Sequence, residues 1–266
     1  MCSSKSPVDV ENFTLNEEIV RKHQEIAQRW QEVGESITTL KSERRYNDLL
    51  VKLEESQKML AEIGAEDSPM QCDVMLLLEE AQAYFNLSRF AEAEEKAISA
   101  LKILDEVPQR HKDLVRIAEV KELVGYIALK SGDVAKAEKM FGDLLAWIDG
   151  DGKSAAPMVT VAIKNMRRTV VTGVGMCLVE RATESGDKAK FDKALDTLIE
   201  GLNAHIEESD FAATKMTLDG ALRCFVGLGD KKQAIETCEK YISWCKRHDD
   251  VDGVALGEQK LQQLKQ

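Results

Sequence analysis

Residues 75–105 read MLLLEEAQAYFNLSRFAEAEEKAISALKILD. Two runs of strong helix formers, mainly Ala, Leu, Glu and Lys, flank a short break at Leu87-Ser88-Arg89-Phe90. Such residues lose little rotamer freedom on a helix. Small residues (Ala81, Ala93, Ala100) are set among large ones (Tyr84, Phe90). Small residues let two helix axes approach closely, and large ones fill the space beside them. The stretch predicts two antiparallel helices joined by a sharp corner.

The same corner returns along the chain as Ser131-Gly132-Asp133, Ser185-Gly186-Asp187 and Leu228-Gly229-Asp230. Gly takes the left-handed conformation that ends one helix, and the following Asp caps the next. A weaker version stands at Glu43-Arg44-Arg45-Tyr46. With Arg44, Ser88, Gly132, Gly186 and Gly229 as markers, the intervals are 44, 44, 54 and 43 residues. The long interval holds Gly150-Asp151-Gly152-Lys153-Ser154 ahead of Pro157, which reads as an insert over 150–156. A period near 44 predicts a stacked array, because no single helix pair can bury its apolar face alone. Strict alternation of β-branched residues is absent, so no strand is expected.

At the ends, Thr14-Leu15-Asn16-Glu17 has the form of a capping box and predicts a helix from near Leu15 to about Ser42. Ser68-Pro69 opens the next one. Asp252 is placed to cap a final helix near 253–265, whose polar face would solvate the end of the array. Residues 1–12 read as a disordered tail, and 13–266 as a single repeat domain.

Composition narrows the function. The formal charge is −11, which opposes counterion displacement from nucleic-acid phosphates and attraction to anionic lipid. No apolar run approaches the roughly 20 residues that span a bilayer. Met1-Cys2-Ser3-Ser4-Lys5-Ser6-Pro7 has no apolar secretory core and no Gly at position 2 for myristoylation, so a cytoplasmic protein is expected. The 6 cysteines form no CxxC, and the 4 histidines do not cluster with them; neither a metal site nor a cofactor is expected. Elbow, zincin, phosphate-loop and dinucleotide-loop motifs are missing. Gly173-Val174-Gly175 lacks a third Gly and a preceding strand and reads as helix packing, and Gly150–Ser154 reads as linker. No enzyme is expected.

The residues quoted from 75–105 resemble a tetratricopeptide repeat. Ala81 and Tyr84 match the small residue and Tyr of the first helix, and Phe90, Ala93 and Ala100 the packing positions of the second. Residues 121–149 are similar through Gly125, Gly132, Ala137 and Phe141, and 218–245 through Leu222, Phe225, Gly229, Ala234 and Tyr241. Residues 175–202 match less well, with either Phe191 or Ala194 at the small position, and 30–61 least. The period exceeds the family's usual 34 or so residues and is similar to the extended repeats of kinesin light chains. The resemblance implies an all-α, right-handed superhelical solenoid of about five antiparallel helix pairs with a C-terminal capping helix.

It also implies a concave groove lined by the first helix of each repeat. Matching positions are Met75, Leu78, Gln82 and Phe85; Glu122, Tyr126, Leu129 and Lys130; Met176, Glu180 and Thr183; and Met216, Asp219, Arg223 and Val226. Phe85, Tyr126 and Leu129 are expected on one exposed apolar stripe, suited to a peptide or amphipathic helix of a partner protein. Lys164, Arg167 and Arg168 form a candidate patch for an acidic partner. The carboxylate clamp of co-chaperone relatives is missing: Gly34, Thr38, Leu78, Gln82, Glu122 and Tyr126 stand there. The expected function is a non-enzymatic adaptor, a possible member of a multiprotein complex. The alternatives are a vesicle-fusion adaptor resembling soluble attachment proteins, or an assembly factor or co-chaperone without that clamp.

Overall fold

The computed structural model describes residues 8–63, 70–106, 113–150, 157–205 and 211–266. In chain order they form α1 (Val8–Ser42), α2 (Tyr46–Ile63), α3 (Met70–Asn86), α4 (Phe90–Glu106), α5 (Leu114–Ser131), α6 (Val134–Asp149), α7 (Pro157–Ser185), α8 (Lys188–His205), α9 (Phe211–Leu228), α10 (Lys231–Arg247) and α11 (Val251–Lys265). No strand occurs among the described residues. Odd-numbered helices take the first place in a repeat and even-numbered ones the second. By its contacts the chain divides into two compact units, Met1–Arg89 and Phe90–Gln266.

In the first unit α1 packs on α2 and α2 on α3. The core joins Val33 and Ile37 of α1, Leu49, Leu53 and Leu60 of α2, and Leu76 and Ala83 of α3. In the second unit each helix from α4 to α11 packs on the next, and α7 also touches α5 and α9. Its main core centres on Phe141, Val170, Val179, Ala182 and Leu198, all buried.

All five marker positions have the left-handed backbone: φ is 56° at Arg44, 58° at Ser88, 90° at Gly132, 65° at Gly186 and 78° at Gly229. A sixth such corner, at Asp249 (φ 53°), joins α10 to α11. In most of them the next residue returns its N–H to the carbonyl five back: Arg45 to Leu40, Arg89 to Tyr84, Asp133 to Ala128, Asp230 to Phe225 and Asp250 to Cys245, at 2.8–3.0 Å. These bonds satisfy carbonyls that the helix end would leave open. The capping Asp then accepts from the next helix, Asp133 from the Lys136 N–H and Asp230 from the Gln233 N–H, both at 3.0 Å.

Helix contacts in the second unit are built by a large side chain entering between two glycines. A Cβ added at Gly125 of α5 would lie 2.7 Å from the Phe141 ring, and one at Gly173 of α7 2.6 Å from it. Leu198 of α8 stands likewise between Gly175 of α7 and Gly220 of α9, at 2.8 Å from either added Cβ. Gly173 and Gly175 are two residues apart, hence about 200° apart around α7, and each receives a different neighbour. The Gly-Val-Gly sequence is therefore a helix-packing device.

Several boundaries correct the sequence reading. α1 begins at Val8, so residues 8–12 are helical and Thr14 lies inside the helix instead of capping it. The cap of α11 is Asp250, which accepts from the Gly253 N–H at 3.2 Å, so that helix starts two residues earlier than expected. Ser68-Pro69 and residues 151–156 lie outside the described residues. The 54-residue interval has another origin: α7 has 29 residues where α5 and α9 have 18. That difference of 11 is the excess over the neighbouring 43, while the stretch between α6 and α7 is no longer than that between α4 and α5. The register of the fourth repeat is also settled. Four residues after their capping Asp stand Ala137, Ala234 and Phe191, so Phe191 takes the small position without a gap. Gly227 of α9 makes the room, since a Cβ there would come within 2.4 Å of the Phe191 ring.

Candidate functional site

The odd-numbered helices carry the expected groove positions, and the two units differ in what they offer. In the first, Met75 is half-buried against the core, and Leu78 is buried at 5% exposure. Gln82 accepts from Lys41 Nζ at 3.1 Å, and Lys41 also donates to both oxygens of Glu79, at 3.0 and 2.8 Å. Phe85 is half-buried.

In the second unit Leu129 and Met176 are buried, at 7% and 4% exposure. Tyr126 rests edge-on against Phe141, with ring centroids 4.9 Å apart, and its hydroxyl donates to the Thr169 carbonyl at 2.5 Å. Phe85, Tyr126 and Leu129 thus do not form an exposed apolar stripe. The helices of this array approach so closely, through glycine, that side chains beside the contact are drawn into it. Glu122 is half-exposed and Lys130 exposed.

In place of an apolar stripe the second unit presents a row of alternating charges. Arg223 of α9 grips Glu180 of α7 with two nitrogens, at 2.6 and 2.8 Å, and reaches Thr183 Oγ1 at 3.3 Å. These hydrogen bonds hold the Glu180 carboxyl below its ordinary range against the opposing effect of burial, and Lys130 of α5 adds to the lowering. Next to Arg223 along α9, Asp219 accepts from Lys260 of α11 at 2.5 Å. The row therefore runs Lys130, Glu180, Arg223, Asp219, Lys260. On the flank, Arg181 of α7 holds Glu138 of α6 at 3.2 and 3.0 Å, and Lys136 of α6 holds Glu94 of α4. A bidentate Arg–carboxylate fork fixes orientation as well as distance, so these pairs set one repeat against the next.

The pairing was legible, though the sequence reading missed it. Glu138 and Arg181, and Glu180 and Arg223, are opposite charges one 43-residue period apart. Glu180 and Arg223 were read one by one as groove residues.

The candidate acidic-partner patch is partly neutralised within the chain. Arg167 donates to Asp149 and to Glu200, both at 3.0 Å, which raises its pKa further. Arg168 donates to Asn165 at 3.3 Å, and Lys164 is exposed. Among the described residues no group of three or more His, Cys, Asp or Glu is placed to hold a metal ion, and no helix is long and apolar enough to cross a membrane. Cys72, Cys177, Cys224, Cys238 and Cys245 are free thiols.

No family model matches the chain, and no curated protein does. Among solved structures it is similar to PlcR of Bacillus thuringiensis in its apo form, at 10% identity over 96% of this chain and 83% of that one, with a TM-score of 0.61. It is similar to a Rap protein complexed with competence and sporulation factor, at 13% identity over 93% and 71%, TM-score 0.58. A third is a putative kinesin light chain of Podospora anserina with nearly identical TPR-like repeats, at 13% identity over 83% and 96%, TM-score 0.51. The chain spans about half, 54%, of the length of a further structure, the apo form of RapI. The fold is that of a tetratricopeptide-like helical repeat protein, with extended repeats similar to those of a kinesin light chain.

Proposed function

We propose that this chain is a non-catalytic interaction scaffold that receives a segment of a partner protein on the odd-numbered helices of its second unit. The observation that carries this reading is the charged row from Lys130 to Lys260, held in place by Arg223–Glu180 and Lys260–Asp219. A surface whose charges are already positioned gives specificity at little ordering cost on binding. The fold neighbour complexed with competence and sporulation factor supports a binding role. The partner would be recognised chiefly by polar contacts and register, with Thr183 and Val226 as the exposed positions beside the row. The free thiols, four of them buried, suit a reducing, cytoplasmic setting.

The test is affinity capture from the native cell with quantitative mass spectrometry, comparing wild type with Thr183→Lys/Val226→Glu. Both side chains are exposed, so helix content and melting should be unchanged while the captured partner falls at least tenfold. Full retention of every partner by the folded variant would overturn the reading.

A further inference from the structure

A second surface lies at the corners of the same unit. α5, α7 and α9 pack side by side, and each ends in one of the turns at Gly132, Gly186 and Gly229. Around these turns stand Lys130, Lys188, Lys190, Lys193, Lys231 and Lys232, all exposed and none in an ion pair or side-chain hydrogen bond among the described residues. Their counterparts on α6 are engaged, Lys136 by Glu94 and Lys139 by Asp143.

The carboxylates nearby are mostly committed. Asp133, Asp187 and Asp230 are turned onto backbone N–H groups of the helices they cap, and Glu184 is held by Arg181. Asp192 and Glu236 remain. Each helix N-terminus adds about half a positive charge. Cations in a first helical turn are on the unfavourable side of that dipole, so Lys188, Lys190, Lys231 and Lys232 do not serve helix stability. Six lysines stand there against Asp133, Asp187, Asp192, Asp230 and Glu236, a small excess of positive charge on a chain whose formal charge is −11.

We propose that this edge docks an extended acidic segment of a partner protein. Packed helices lie about 8–10 Å apart and an extended chain rises about 3.3 Å per residue. Carboxylates roughly three residues apart would thus meet successive corners. Lysines are point charges without the planar fork of Arg, so recognition follows charge spacing more than sequence. The acidic remainder of the chain repels any large anionic surface, which favours a short acidic segment over a membrane or a long nucleic acid. This surface shares Lys130 with the row beside Thr183 and Val226, but the variants that test the two surfaces leave Lys130 in place, so either can fail alone.

The experiment measures fluorescence anisotropy of a labelled Gly-Ser peptide carrying Glu at every third position, titrated with the full chain at low salt. Its Gln counterpart should not bind. Lys188→Glu/Lys190→Glu/Lys231→Glu/Lys232→Glu should weaken binding at least tenfold with unchanged circular dichroism, and Lys188→Gln/Lys231→Gln should weaken it severalfold if the quadruple variant is unstable. Lys102→Glu/Lys240→Glu, at exposed lysines elsewhere, should change it less than twofold. The proposal is overturned by absence of saturable binding, by equal weakening in the control variant, or by tighter binding of phosphatidylserine vesicles or oligothymidine than of the peptide.

Discussion

Arg44 and Ser88 in the first unit hold the same left-handed backbone, at φ 56° and 58°, that Gly132, Gly186 and Gly229 hold in the second. A residue with a Cβ gives up about 1–2 kcal/mol in that conformation, and Gly does not. The residue that follows differs as well. Asp caps the next helix in the second unit, while Arg45 and Arg89 stand there in the first. The closing hydrogen bond is nonetheless the same, Arg89 to Tyr84 at 2.8 Å and Asp133 to Ala128 at 2.9 Å. The turn at Arg44 is thus held by the packing of α1 on α2, which it joins, and in the second unit the turn is also favoured locally. The cores differ in parallel. Glycines in the second unit are filled against Phe141 and Leu198, whereas nothing lies within 4 Å of a Cβ built at Gly34 of α1.

The sharpest break of this comparison is a pair of identical substitutions with opposite signs. Gly173→Ala would set a methyl 2.6 Å from Phe141 and should cost about 1–3 kcal/mol in urea unfolding, because overpacking forces displacement. Gly34→Ala meets no neighbour and should gain up to about 1 kcal/mol from helix propensity. Thiol trapping in a Cys2→Ser background separates the units. Cys72 belongs to the first; Cys177 and Cys224 belong to the second, with thiols that burial pushes up to about 12 and about 11. Gly173→Ala should speed labelling of the buried pair and leave Cys72 unaffected. Equal signs for the two substitutions would remove the distinction between the cores.

At the corners the expected effects are smaller. Gly132→Ala and Gly229→Ala should each lose about 1–2 kcal/mol. Ser88→Gly should gain about 0.5 kcal/mol, the relief of strain being offset in part by the greater freedom of Gly in the unfolded chain. Destabilisation by Ser88→Gly in the same denaturation assay would show that its side chain stabilises the turn in a way glycine cannot replace.

The smallest effect concerns the charged row. Glu180 is held below the ordinary carboxyl value of 4.5 by Arg223. A group with a depressed folded pKa contributes stability above its unfolded pKa and loses it as pH falls through the folded value. Glu180→Gln should therefore cost up to about 1 kcal/mol near neutral pH, a difference that closes as the pH drops below the carboxylate range. A gap between wild type and variant that persists in acid would assign the loss to packing instead.

The sequence alone determined the helical class, the positions of the corners and the fit to a period near 44. These follow from local chemistry: helix formers in apolar period, a left-handed residue, a capping Asp. Even Arg44 and Ser88, without the glycine signal, were located by spacing. Burial around each helix was beyond it. Leu78, Leu129 and Met176 were placed in a groove, yet they are buried at 5%, 7% and 4% exposure; in the second unit glycine contacts bring the helices close enough to cover a wider arc than a periodic pattern reveals. The excess of the long interval was read as a loop, because the sequence around 150–156 signals a break and gives no count of the helix that follows. Only the tertiary structure lengthened α7 and set Phe191 against Gly227. Each of these depends on which residue stands opposite in a neighbouring helix, a fact that no local rule along one chain contains.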